Sequence, residues 1–145
     1  MAEKLLSRAE VPKELTWDLT LIYKSEELMW NDLEECKRIV AHMEETYKGH
    51  LDTPENIVAC MKELERLNEL ATLIGNYTSL AVSVDYYDGD NLTRDAKVNS
   101  VFSDLFSRVS FVDSEIVLQD DAVIERAINL AEGTKNYLKN ILRSK

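Results

Sequence analysis

From Thr53 to Asp88 the chain offers almost nothing that would end a helix. Ile57, Met61, Leu64, Leu67, Ala71, Ile74, Tyr77 (or Thr78), Ala81 and Val84 recur at spacings of three and four. That is one apolar stripe of helical period. Thr53 is a good N-cap, Pro54 suits the first helical position, and Glu55 faces the positive end of the helix dipole. Gly75 weakens such a helix by about 1 kcal/mol without ending it. The spacing predicts one helix of about 30 residues and about 45 Å. A compact chain of 145 residues has a radius of gyration of about 15 Å, so a helix this long dictates an elongated body.

The remaining segments support an all-α fold of four or five helices. Ser25 caps a first helix with Glu26 and Glu27 in its first turn, and Gly49 stops it. Its stripe is Met29, Leu33, Cys36, Val40, Met43 and Tyr47, widened by Trp30 and Ile39. Asp88-Gly89-Asp90-Asn91 is a turn, with Asn91 or Asp90 capping a third helix. The apolar face of that helix is Ala96, Val101, Phe102, Leu105, Val109 and Val112. So short a turn makes the second and third helices a long antiparallel hairpin. Ser114-Glu115 opens a short helical or irregular piece, Ile116 to Leu118. A fourth helix spans about Asp120 to Ala131 with Val123, Ala127 and Leu130 inward. After Gly133, Thr134 caps a last helix whose stripe is Tyr137, Leu138, Ile141 and Leu142. Residues 1–24 differ. Pro12 disfavours a helix at Val11, and Thr16-Trp17-Asp18-Leu19-Thr20-Leu21-Ile22-Tyr23 lacks helical spacing. We read an extended strap held on the helical body by Trp17, Leu19 and Ile22, with an edge strand as the alternative.

Composition narrows the function classes. Lys and Arg number 17 against 27 Asp and Glu, a net charge of −10. An acidic chain of this kind has no electrostatic affinity for nucleic acid or for an anionic membrane. The longest uncharged stretch, Leu70 to Val84, is too short to span a bilayer, and no signal-peptide core is visible near Met1. Cys36 and Cys60 are the only cysteines and make no Cys-x-x-Cys pair. They read as reduced, semi-buried small hydrophobes in a cytoplasmic protein.

No catalytic or metal-binding constellation emerges. A mononuclear zinc site takes about three converging ligands. His42 opens His-Met-Glu-Glu-Thr, with no second histidine one turn on, and His50 sits beside Gly49. Both read as solvated surface histidines. Ile39 and Tyr47 stand where a di-iron bundle would place glutamates. Asp85-Tyr86-Tyr87-Asp88-Gly89-Asp90 only loosely echoes a calcium loop, since Asp95 occupies the position of its closing glutamate. A solvated acidic turn is the better reading. The pairs Glu26/Glu27, Glu34/Glu35 and Glu44/Glu45 are solvating charges on the outside of the first helix.

An ordered set of residues nevertheless points to a family. Arg8, Thr16-Trp17-Asp18-Leu19 and Tyr23, then Lys48-Gly49-His50-Leu51 and Tyr77, resemble the opening of oligoendopeptidase F, one of the thimet-type zinc metallopeptidases. Asp85 with Asn91, Ser110-Phe111 with Glu115, and Tyr137-Leu138 with Ile141 and Arg143 continue the likeness along the chain. Ser114 departs from it, because the family often has proline before the glutamate. The resemblance implies a protein of about four times this length, whose zinc-binding His-Glu-x-x-His lies far downstream; there two histidines hold the metal and the glutamate is the general base.

Under that resemblance, residues 1–24 are the strap and 25–145 the helical N-terminal lobe, a non-catalytic wall of a channel for short peptides. No cofactor belongs to this chain; zinc, catalysis and the partner catalytic domain belong to the remainder. No catalytic, metal or substrate-binding residue is assigned, and the chain alone is expected to be inactive. The last helix lacks a stop signal before Lys145, which suits a natural terminus as well as a chain cut inside a longer one. Apolar residues left bare by such a cut, namely Tyr137, Leu138, Ile141 and Leu142, with Phe106 and Phe111, are expected to form an exposed patch that supports a weak homodimer. The alternative is a free-standing acidic helical module for protein–protein interaction.

Overall fold

A computed structural model describes residues 19–85, 87–131 and 135–145. Among them the fold is all-α, with no strand. A short 3-10 turn at Leu19–Leu21 leads into α1 (Glu26–Tyr47), α2 (Pro54–Val84), α3 (Gly89–Arg108), α4 (Phe111–Ile116), α5 (Asp121–Leu130) and α6 (Lys135–Ser144). The first two helices start where the caps place them. The Ser25 hydroxyl accepts from the Leu28 N–H, and the Thr53 hydroxyl from the Asn56 N–H. α2 is unbroken through Gly75 for 31 residues, about 46 Å.

Three helices form the main body. α2 packs on both α1 and α3, and α1 also meets α3. Tyr23 rests edge-on against Tyr77, and His42 meets Glu63, so low numbers of α1 face high numbers of α2 and the pair is antiparallel. Glu26 binds Arg94 and Glu44 binds Arg108, so α1 and α3 run the same way. Met29, Leu33, Val40, Met43, Ile57, Leu67, Ile74 and Leu105 fill the space between them. Fully burying one such side chain stabilises the fold by about 1.5–3 kcal/mol. α5 packs on α2 and α6 on α5. Lys145 reaches back to the Gln119 carbonyl and the Asp121 carboxylate, both at 2.6 Å.

Several expectations need correction. The end of the strap that is described, Leu19–Leu21, is a 3-10 turn rather than extended chain. Leu19 and Ile22 do pack on the core, while Trp17 lies outside the described residues. The cap of α3 is Asp88, whose carboxylate accepts from the Asp90 N–H at 2.9 Å. Asn91 instead turns its amide on the Ala81 and Asp85 carbonyls, closing the end of α2. Ala96 is exposed and Val98 is buried in its place. α4 begins three residues early, at Phe111, and holds Ser114 and Glu115 inside it. In α5 the inward set is Ile124, Ala127 and Ile128, leaving Leu130 56% exposed. The patch expected on α6 is folded inward: Leu138 is fully buried, and Ile141 and Phe111 are nearly so, while Phe106 stays 38% exposed.

Candidate functional site

Several residues that carry the family resemblance lie at the ends of the bundle, where they hold corners. Gly49 takes a left-handed backbone (φ +82°) that ends α1, and its N–H donates to Glu115 Oε1 at 2.6 Å. Leu51 is buried beneath that corner. The His50 carbonyl accepts from the Asn56 amide, and the His50 ring lies at the surface. At the opposite end Asn91 spans Ala81 and Asp85, and Tyr77 packs on Tyr23. Burial and the Asp32 carboxylate that accepts the hydroxyl of Tyr23 push that phenol above its usual range. Ser114 keeps its corner by donating its hydroxyl to the Ser110 carbonyl at 3.2 Å. These contacts are architectural. Arg8, Thr16, Trp17 and Asp18 lie outside the described residues.

The histidines and acidic pairs divide in two. His42 is at the surface, yet its Nδ1 lies 2.6 Å from Glu63 Oε1 and its ring packs edge-on against Tyr47. Glu63 Oε2 and Glu115 Oε2 are buried without a hydrogen-bond partner, and both carboxylates bear on the Cys60 thiol from nearby. Burial, assisted by those charges, pushes Cys60 up to about 12, and burial with the nearby Asp32 and Glu35 carboxylates pushes Cys36 up to about 11. Neither thiol is a nucleophile at neutral pH. Among the described residues no three His, Cys, Asp or Glu side chains converge as metal ligands. Glu34 and Glu35 pair locally with Lys37 and Arg38. Glu26 and Glu44, read from sequence as solvating charges, instead clamp α1 to α3. The Arg94 hydrogen bond, with help from the Trp30 indole, holds the Glu26 carboxyl below the usual carboxylate range against a small desolvation penalty.

Among the described residues, a groove of about 700 Å³ beside the middle of α2 has room for a ligand. That lies within the range of pockets that bind small ligands, roughly 300–1,000 Å³. Its apolar lining is Met61, Leu64 and Leu73 on α2, with Tyr137 of α6 opposite. Its polar lining is Glu65, Asn68, Glu69 and Thr72. The α2 positions follow one another at i, i+3, i+4, i+7, i+8, i+11 and i+12, a single helical face. Glu65, Asn68, Glu69 and Thr72 recur on one face in the sequence, but a polar face by itself does not announce a groove. Only the placement of α6 supplies Tyr137 and makes that face concave. No described helix is long and apolar enough to cross a membrane.

Comparison with known proteins adds a family likeness. The chain is 24% identical over 132 residues to the plasmid-encoded oligoendopeptidase F of Lactococcus lactis subsp. cremoris, 90% of this chain and 22% of that protein. It is 24% identical over 112 residues to the chromosomal oligoendopeptidase F of the same organism, 77% of this chain and 19% of that one. An oligoendopeptidase F homolog of Lactococcus lactis subsp. lactis matches at 24% over 132 residues, again 90% and 22%. The chain therefore spans about a fifth of the length of the curated relatives it matches. No protein-family profile and no solved structure matches it.

Proposed function

We propose that this chain is the non-catalytic N-terminal helical lobe of a zinc-dependent oligoendopeptidase and walls the channel through which short peptides reach the metal. The observation that carries the reading is the likeness to oligoendopeptidase F along 90% of the chain but only 22% of the relative. Gly49, Glu115 and Asn91, among the residues of the sequence resemblance, hold bundle corners, which suits a lobe whose duty is shape. Zinc and its ligands belong to the rest of the protein in this reading, and the cytoplasm is its compartment, in keeping with two unpaired buried thiols. The groove beside α2 supplies a surface on which a peptide can lie.

Reading the gene beyond codon 145 tests the proposal. A frame that continues to a His-Glu-x-x-His supports it. A stop codon after Lys145 overturns it in favour of the free-standing interaction module.

A further inference from the structure

We propose that the corner where α1, α2 and α4 meet is a charge-strained joint, which opens locally far more often than the α1–α2 interface around Cys36 and bares Cys60 when it does. The property belongs to this chain by itself and does not depend on the lobe reading. Its basis is where the unsatisfied polar atoms fall. Glu63 Oε2 and Glu115 Oε2 are the buried side-chain oxygens without a hydrogen-bond partner among the described residues. One stands on α2 and the other on α4, yet both carboxylates bear on the same thiol, that of Cys60. Each is held through its other oxygen alone, Glu63 Oε1 by the His42 ring and Glu115 Oε1 by the Gly49 N–H, both at 2.6 Å. Among the described residues no lysine or arginine pairs with either carboxylate, although Lys62 and Arg66 are close to Glu63 in sequence.

Two like charges, each with one dry oxygen, therefore bear on one apolar spot. A buried charged acceptor without a donor is costly, and water supplies the donor as soon as it enters. Local opening hydrates both oxygens at once. The backbone at the corner resists little. Gly49 turns through the left-handed region (φ +82°). α4 has six residues, and its N-cap Ser110 makes no side-chain cap; so short a helix has no stability of its own. Burial of Phe111, Val112 and Ile116 holds α4 down, which makes the opening a fluctuation rather than the resting state. Around Cys36 the polar groups are satisfied. The Asp32 and Glu35 carboxylates bear on that thiol, but Asp32 accepts the Tyr23 hydroxyl and Glu35 holds Arg38.

The two thiols rank oppositely under two routes of attack. A reagent that reached them in the closed fold would modify Cys36, at about 11, about ten-fold faster than Cys60, at about 12. A corner that opens makes Cys60 the faster. The experiment is alkylation of the full 145-residue chain by N-ethylmaleimide at pH 8 without denaturant, mapped by peptide mass spectrometry over time. Each site is normalised to its own rate in urea. Cys60 is expected to react about ten-fold faster than Cys36, the scale on which an unsatisfied buried group lowers the cost of opening. Glu63→Gln and Glu115→Gln each keep an oxygen for His42 or Gly49. Each should retain the helical circular dichroism of the parent, slow Cys60 several-fold and leave Cys36 unchanged. By the closed route the same variants would speed Cys60, because losing a nearby negative charge eases its ionisation. Cys36 reacting as fast as Cys60 or faster in the parent overturns the joint. So does a folded glutamine variant in which Cys60 is not slowed. Should a variant fail to fold, the ratio of the two thiols in the parent decides alone.

Discussion

Cys36 and Cys60 lie fully buried on facing sides of α1 and α2, and burial acts on them twice. It removes the thiolate, raising Cys36 to about 11 and Cys60 to about 12, and it blocks the approach of a reagent. At pH 8 the thiolate fraction alone predicts labelling by a disulfide reagent at least about a hundred-fold slower in the native chain than in the denatured one. A stopped-flow or spectrophotometric thiol assay with and without denaturant checks this. Native labelling as fast as denatured would mean that the α1–α2 interface opens readily. Sequence alone led to reduced, semi-buried thiols because neither cysteine has a second at motif spacing; the structure buries both completely. Sequence misjudged Glu26 and Glu44, whose partners Arg94 and Arg108 are more than 60 positions away and are brought close only by α3.

At the scale of elements, the two glycines associated with α1 and α2 predict opposite outcomes from the same substitution. Gly75 lies inside a helix, and a Cβ added there meets nothing within 4 Å. Gly75→Ala therefore gains helix propensity and should raise stability by about 0.5–1 kcal/mol. Gly49 also has room for a Cβ, yet its φ of +82° is a backbone that alanine adopts with strain. Gly49→Ala should lower stability by about 1–2 kcal/mol without any steric clash. Paired urea titrations decide both signs. Element legibility follows from similar local chemistry. The starts of α1 and α2 were readable to the residue because Ser25 and Thr53 are extended capping residues whose hydroxyls bind the first turn. The start of α4 was not, since Ser110 already has helical backbone angles (φ −61°, ψ −20°) and makes no side-chain cap. The chain passes from α3 to α4 without the extended break that marks a helix start. In α5, Val123-Ala127-Leu130 and Ile124-Ala127-Ile128 are adjacent stripes, and periodicity cannot choose between them. Packing against α2 does. The groove stayed hidden for a related reason: a polar helical face looks the same whether it meets water or a cleft.

For the whole molecule, the order of packing sets the order of unfolding. α1, α2 and α3 each pack on the other two, while α5 joins that body through α2. α6 is held mainly through α5, which is itself held on α2. A ten-residue helix is below the roughly 12–15 residues at which isolated helices become even marginally stable. α6 is therefore helical because it is docked, and its anchor is Leu138, with no exposed surface. Leu138→Glu places a carboxylate in that anchor, where an unpaired charge is strongly unfavourable. The bundle of α1 to α3 should survive while α6 undocks and melts, a local opening rather than global unfolding. Hydrogen-exchange mass spectrometry should then show α6 amides losing at least about a hundred-fold in protection, the effect of raising an opening equilibrium by some 2.7 kcal/mol, with α2 beyond Ile74 unchanged. Leu138→Met, close in volume, should leave α6 protected. Undiminished protection of α6 in the glutamate variant would show that Leu138 is not the anchor. Simultaneous loss in α2 would show that all the helices unfold as one unit. Undocking also carries Tyr137 away from α2, so the same variant should lose the groove while keeping the bundle that forms its other wall.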